Sequence, residues 1–220
     1  MEFRWRVVLD YWPDFLVGAL HTLELTVVSL GVGVVLGLLL ALARISGHRL
    51  LSWPAYAYIE FFRTTPPLIQ IVWFYFVVPV LIGTDLNSFQ AAAAALGLNA
   101  AAFLGEIFRA GIQGIDATQR DAARVLGLSP LDTYRFVVLP QALRIALPPA
   151  ATTMMLLIKG TSLASVIGTL ELTRVAQLTA LDTFRPMEVW TFAALLYFVI
   201  TYPLAVGARR LERRLRRGEA

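Results

Sequence analysis

The sequence predicts an all-α membrane protein of five transmembrane helices, its N-terminus outside and its C-terminus cytoplasmic. Three observations predict it. Hydrophobic residues make up 58% of the chain and charged residues 15%, whereas soluble domains carry about 25% charged residues. Charge-free runs recur at bilayer-crossing length. Basic residues collect on one side of those runs.

Residues 25–43, 64–84, 86–105 and 189–208 contain no charged side chain, and 145–170 contain only Lys159 before the end of the run. A hydrocarbon core of about 30 Å takes roughly 20 helical residues. The predicted helices are therefore about 16–43, 56–80, 88–108, 146–168 and 188–208, in one transmembrane domain spanning 1–220. Gly31, Gly33 and Gly37 in the first helix, and the alanine run 91–95 in the third, are small faces suited to close packing, with Asn99 a bridge between helices there. A short turn around Gly83-Thr84-Asp85 joins the second helix to the third. The aromatic run Trp73-Phe74-Tyr75-Phe76 fits the membrane interface. His21 and Glu24, at the outer end of the first helix, are spaced for a local hydrogen bond, and Glu106 and Arg109 repeat the spacing at the inner end of the third.

Charge fixes the orientation. Arg44 and Arg49, then Arg109, Arg120, Arg124, Arg135 and Arg144, then Arg209, Arg210, Arg213, Arg214, Arg216 and Arg217 fall on one side. The other side has Arg4, Arg6, Arg174 and Arg185 mixed with Glu2, Asp10, Asp14, Asp85, Glu171, Asp182 and Glu188. The positive-inside rule makes the first side cytoplasmic, and an outside N-terminus with an inside C-terminus needs an odd number of crossings. The first apolar stretch is too long for a cleaved signal and reads as a retained helix.

Composition excludes several classes. With no cysteine there is no disulfide or thiolate site, and His21 and His48 lie too far apart in sequence to make a metal cluster alone. The net charge of +4 does not indicate nucleic acid, because the basic residues flank spans and end in a juxtamembrane cluster that suits anionic headgroups. No Gly-x4-Gly-Lys-[Ser/Thr] phosphate loop is present, so any ATP hydrolysis belongs to another chain.

The segment 109–144 is what lipid does not explain. Residues 119–126 have helical composition, with Ala122, Val125 and Leu126 on one face and Arg120 and Arg124 elsewhere. Gly127 is expected to stop that helix and Ser129-Pro130 to start a second, as N-cap and first residue. Leu139-Pro140 and Leu147-Pro148-Pro149 mark re-entry into the membrane, the latter as an unwound or kinked helix start. Two short helices meeting at a glycine bend, with small residues that allow close approach, suit docking into a cleft of another protein.

The run Asp121-Ala122-Ala123-x3-Gly127-x9-Val137-x-Leu139-Pro140 resembles the loop that defines the membrane subunits of bacterial ATP-binding-cassette importers. It departs from that pattern in Asp121 for glutamate and Val137 for isoleucine. Five further motifs keep the family's order. They are Gly18-x3-Thr22-Leu23-x-Leu25; the run from Tyr58 to Gln70; Gly97-Leu98-Asn99 with Glu106-Ile107-x-Arg109-Ala110-Gly111-Ile112; Leu139-Pro140-Gln141-Ala142-x-Arg144; and Lys159-Gly160-Thr161-Ser162-Leu163. Together they are similar to the polar amino-acid permease branch. The resemblance implies a coupling helix that seats in the ATPase subunit, with docking by Asp121, Ala122, Ala123 and Gly127 and with Leu139 and Pro140 at the exit. It implies an ATPase dimer that uses ATP and Mg, a second permease subunit, a substrate-binding protein, an amino-acid substrate and the bacterial inner membrane. This chain itself binds no cofactor in that scheme.

Charges at membrane depth are costly and mark function. Glu60 and Arg63 form either a mutual ion pair, with Arg63 snorkelling, or the lining of an inner mouth or gate. Pro66-Pro67 just beyond them breaks or bends the helix and frees carbonyls. Gln70 closes the same run and is placed on the pathway with them. Lys159, Gly160, Thr161 and Ser162 either contact substrate at a locally broken helix or, for Lys159, pair internally with Glu60 or Glu106. Several relatives have aspartate where this chain has Gly160, so the resemblance favours neutral or acidic substrates. The rival is an ion-coupled secondary amino-acid transporter, which predicts inverted repeats and uptake by this chain alone.

Overall fold

The structure is a computed structural model and describes residues 5–216, with side chains to residue 214. Glu2, Arg4 and Arg217, and the Arg216 side chain, used above for orientation, lie outside the described residues. Every regular element among the described residues is helical.

A short α1 (Arg6–Asp10) leads into α2 (Trp12–Ile45), which carries Pro13 in its first turn, where no amide partner is lost. The predicted second helix, 56–80, is not one helix. It is α3 (Arg49–Thr64), α4 (Pro67–Phe76) and α5 (Val78–Ile82). Thr65 and Pro66 are extended, at ψ 140° and 132°. A residue before proline avoids the helical region, and here two such residues follow one another. Gly83, at φ 67°, closes α5.

The third span, α6 (Ser88–Gln113), opens on a capping box in which Asn87 and Gln90 each hold the other's backbone amide. Then come α7 (Ala117–Val125), α8 (Pro130–Asp132), a π-helical turn (Thr133–Val138), α9 (Leu139–Gly160) and a 3₁₀ segment (Thr161–Ile167). These last four run on as one helical rod. The expected second loop helix is thus the foot of the fourth span, and the span begins well before residue 146. Pro148 and Pro149 lie inside α9 rather than at an unwound start. Pro140 lies in the first turn of α9, directly after the π-helical turn.

An element absent from the prediction follows. α10 (Leu172–Thr183) is capped by Glu171 and ends at Phe184, a non-glycine residue at φ 53°. α11 (Pro186–Arg216) completes the chain.

Among the described residues, four helices are long and apolar enough to cross a membrane: Trp12–Ile45, Ser88–Gln113, Pro130–Ile167 and Pro186–Arg214, with Pro67–Phe76 a shorter apolar one. The α2–α6 seam rests on missing side chains. A Cβ on Gly33 would stand 2.9 Å from Ala100 Cβ, and one on Gly37 3.1 Å from the Ala101 carbonyl and the Gly105 nitrogen. Gly31, expected on the same face, meets nothing within 4 Å. Ala91, Ala92, Ala95 and Leu96 of α6 form the core with Leu25, Ile71, Leu157 and Ala164. A second cluster seats Phe15, Leu172, Val175 and Val189 together, joining α2, α10 and α11.

Candidate functional site

The loop between α6 and α9 is built from local signals. Asp116 caps α7, its carboxylate accepting from the Thr118 amide at 2.9 Å and from the Thr118 hydroxyl at 2.9 Å. Those two bonds hold its carboxyl below the usual range. A lowered acid stabilises the folded loop above its ordinary titration range, and that contribution is lost as pH falls through the lowered value. Asp116→Ala is expected to fray α7, seen as faster amide exchange at Thr118 and Gln119 with the melting temperature of the subunit nearly unchanged. Equal exchange rates would show that the cap does not hold the helix.

The far end of α7 is a Schellman motif. Gly127, at φ 76°, donates to the Arg124 carbonyl at 2.9 Å and Leu128 to the Ala123 carbonyl at 3.1 Å. Two residues on, the Ser129 hydroxyl accepts from the Asp132 amide at 3.1 Å and Pro130 occupies the first turn of α8. Arg120 turns back to donate to the Ile112 carbonyl at 2.8 Å, tying α7 to the end of α6. Ala123 is buried beneath the loop, whereas Asp121 and Ala122 are exposed. Asp121 pairs with Arg124 at 3.3 Å in the open, an arrangement worth little to stability. Beside them Val125 is 87% exposed, Leu126 80% and Leu131 77%. Leu139 and Pro140 are exposed where α9 begins, and the Gln141 amide donates to the Val137 carbonyl at 2.9 Å.

The break between α3 and α4 forms a second centre. Pro66 has no N–H, so the Phe62 carbonyl loses its helical donor. Gln70 Nε2 donates to it at 3.0 Å and Asn99 Nδ2 at 2.8 Å. Gln70 Nε2 also reaches Thr65 Oγ1 at 2.6 Å, and its Oε1 accepts from Asn99 Nδ2 at 3.0 Å. Gln70 is buried and spent on this splint. The expected bridging role of Asn99 is realised here, across α6 to the broken helix. The Asn99 position is legible as a lone amide in an apolar run, but its partners are not, since they depend on where α3 stops.

Arg63 and Glu60 make no ion pair with one another. The Arg63 guanidinium lies over the Phe103 ring, 5.5 Å from its centroid. Glu106 is taken by Arg109 at 2.7 Å, as its spacing predicts, and Arg109 also bonds Gln113. Lys159 is exposed at the end of α9, and among the described residues it pairs with neither Glu60 nor Glu106. His21 meets Glu24 at 3.5 Å.

At Gly160 the α-helix tightens to 3₁₀. Thr161 Oγ1 donates back to the Ile158 carbonyl at 2.7 Å and Ser162 Oγ to the Lys159 carbonyl at 2.7 Å. Gly160 itself has helical angles, and a Cβ there would meet only Leu96 Cδ2 at 3.7 Å. A cavity of about 200 Å³ opens beside it, lined by Pro67, Asn99, Phe103, Thr153, Gly160 and Leu163 among others. The splinted break and the 3₁₀ junction therefore face one hollow. No group of three or more His, Cys, Asp or Glu side chains among the described residues is placed to hold a metal.

Broken helices around a largely apolar hollow, with a capped loop projecting from the adjoining helix ends, define a membrane-spanning transport subunit. Residues 33–217 match the family of binding-protein-dependent transport system inner membrane components, and the chain belongs to that family. It is 38% identical to the glutamine transport system permease protein GlnP of Escherichia coli (strain K12), over 98% of this chain and 99% of that one. It is 35% identical to the arginine transport system permease protein ArtQ of Bacillus subtilis (strain 168), over 98% and 99%. A crystal structure of an amino acid ABC transporter with histidines superposes at a TM-score of 0.90 and 34% identity, covering 97% of this chain and all of the other. The methionine ABC transporter MetNI, inward facing, shares the fold at a TM-score of 0.77 and 24% identity.

Proposed function

We propose that the chain is the transmembrane subunit of an ATP-driven importer, moving polar amino acids from a binding protein into the cytoplasm of a bacterium by alternating access. The observation that carries this reading is the loop 114–132. It projects apolar side chains that the described residues leave exposed, and it is tied at one end to α6 and at the other runs into α9. A separate ATPase dimer seats on Asp121, Ala122, Val125, Leu126 and Leu131, with Gly127 setting the bend and Ala123 supporting it from within. Leu139 and Pro140 pass the movement to α9.

In this reading α3, α4 and α5 together make one broken crossing, so the chain crosses five times with its N-terminus outside. Arg63 and Lys159 then lie at membrane depth and exposed on the single subunit, so they face a second permease subunit or the water-filled path between the two. Asn99, Phe103 and Gly160 border the hollow where an amino acid is held, Thr161 and Ser162 follow Gly160 in the chain, and Glu60 and Arg63 border its inner mouth. The amino-acid names of the relatives support the substrate class, and the absence of a carboxylate at 160 supports neutral or acidic side chains.

Reconstitution in proteoliposomes with the ATPase subunit and a binding protein tests the reading. Uptake of labelled glutamine, glutamate or both is expected only with ATP and all three components. Equal uptake without the ATPase would replace the reading with an ion-coupled carrier. Gly160→Asp fits the backbone and the available space, and is expected to raise the uptake of arginine relative to glutamate by about tenfold, the scale of one charge-assisted contact. An unchanged ratio would remove residue 160 from the specificity site.

A further inference from the structure

Arg174, in the first turn of α10, is half-buried and pairs with no carboxylate among the described residues. The acid one turn before it is already spent. Glu171 Oε1 accepts from the Arg174 amide at 2.8 Å, and Oε2 accepts from the Thr173 amide at 2.9 Å and from the Tyr197 hydroxyl at 2.8 Å. The carboxylate thus caps the helix and leaves the guanidinium alone. Arg185, by contrast, is paired with Glu188 at 3.3 Å. What Arg174 has is an amide: its Nη1 donates to Gln177 Oε1 at 3.3 Å. That neutral partner orients the guanidinium without neutralising it. Gln177 is anchored in turn, its Nε2 donating to Ser165 Oγ at 3.4 Å.

Both side chains line an open hollow of about 610 Å³ between α10 and the start of α11, walled by Phe184, Pro186 and Trp190 among others. Small-molecule sites usually measure about 300–1,000 Å³ and combine apolar walls with a few placed polar groups, as this one does. Phe184 ends α10 in a left-handed conformation, φ 53°, that a bulky residue rarely adopts, and its ring is 87% exposed. Aromatic rings at the rim are surfaces on which an ammonium group rests well. The hollow shares no lining residue with the one at Gly160. The two are nevertheless joined, because Ser165 lies in the 3₁₀ segment that leaves Gly160, about 10 Å along it at the rise of such a helix.

We infer that Arg174 and Gln177 form a second amino-acid site, outward of the hollow at Gly160, in which the Arg174 guanidinium takes the α-carboxylate and Gln177 holds it in place. The inference rests on the proposed importer function and orientation, which put α10, between the fourth and fifth crossings, at the outer face. A guanidinium fork matches a carboxylate and binds it in two parallel hydrogen bonds. The α-carboxylate is common to every amino acid, so this site accepts the class and leaves selection among side chains to the inner hollow. An amino acid leaving the binding protein is held here before it enters the membrane.

The test uses the permease–ATPase complex with full-length chains, in nanodiscs of neutral lipid and without binding protein, so that neither an anionic headgroup nor a carboxylate of that protein competes. Labelled glutamine is expected to bind two classes of site per permease chain. At one of them, unlabelled glutamine should displace the label about tenfold better than glutamine α-amide, which lacks the carboxylate; that is the scale of a hydrogen bond to a charged group. Arg174→Gln is expected to abolish this preference and Arg174→Lys, which keeps the charge, to retain most of it. The melting temperature should not move, because the Arg174 amide and not its side chain takes part in the α10 cap. A wild type with one class of site, or a preference that Arg174→Gln leaves intact, overturns the outer site. So does an Arg174→Gln variant that binds glutamine normally and loses only the docking of amino acid-free binding protein, which would hand Arg174 to a carboxylate of that protein. Binding is read without ATP or transport, so the two readings fail separately. A wild-type complex that takes up nothing with ATP and binding protein overturns the importer. A transporting wild type without the carboxylate preference overturns only the outer site.

Discussion

Val125→Asp combined with Leu126→Asp is expected to abolish ATP-driven uptake while the isolated subunit melts as the wild type does. Both side chains stand almost wholly in solvent, so nothing inside the chain depends on them, and the helix bearing them is held by Asp116 at one end and by the Gly127 turn at the other. Burying a valine or leucine side chain in a partner is worth about 1.5–3 kcal/mol. Losing both, and forcing charges into the same apolar seat, removes about 4 kcal/mol or more, roughly a thousandfold in affinity for the ATPase subunit. Co-purification with the ATPase and uptake should fall together. Retained co-purification with normal uptake would mean that the subunits meet on some other surface, and the coupling role of the loop would be lost.

That loop was the most legible part of the chain because its signals are local. Asp116, Gly127, Ser129 and Pro130 each act on their own backbone or on an amide two or three residues away, and sequence order is enough to place them. The spans of α2, α6 and α11 were legible for a similar reason, since charge-free length needs no partner. The break at Pro66 was half legible. Proline announces it, but a charge-free run has no punctuation, and by length alone the run reads as one helix.

What sequence order did not disclose was set by contacts across the fold. Arg63 has an acid one turn away and lies instead over Phe103, forty residues on. α10 is too short and too polar to register as a span, and its cap is a glutamate rather than one of the usual capping residues. Glu171 finds its main side-chain partner 26 residues further on. The π turn at 133–138 has no compositional sign. In the candidate site, Gly160 and Asn99 were each visible as a small or polar residue in an apolar helix. That they border one hollow, while Gln70 is committed to a carbonyl that Pro66 left free, follows only from how α3 and α4 meet α6.

Gly111→Leu is expected to cause the largest loss of stability, and the reason is a backbone contact. Where α6 crosses α9, a Cβ on Gly111 would stand 2.9 Å from the Ala142 carbonyl oxygen and 3.2 Å from Ala146 Cβ. A side-chain tip can swing away, but a helical carbonyl cannot, so the helices must part. In an open helical site, alanine in place of glycine gains about 1 kcal/mol. At Gly111 even alanine is expected to reverse that sign. Leucine adds three more carbons to a filled seam, at a cost of about 1–3 kcal/mol or more, which lowers the melting temperature by roughly 5 °C or more for a chain of this size. Gly31→Ala is the matched control, because a Cβ there meets nothing within 4 Å, and it should melt at or slightly above the wild type. The crossing lies immediately before the loop, and α6 and α9 leave the membrane on either side of it. A wedge at residue 111 would therefore spread the two helix ends that, in the proposed importer, the ATPase moves together, so ATP hydrolysis should persist while uptake per ATP falls. A Gly111→Leu subunit that melts and transports like the wild type would show that these two helices slide freely at their closest point, and that the loop drives them through some other contact.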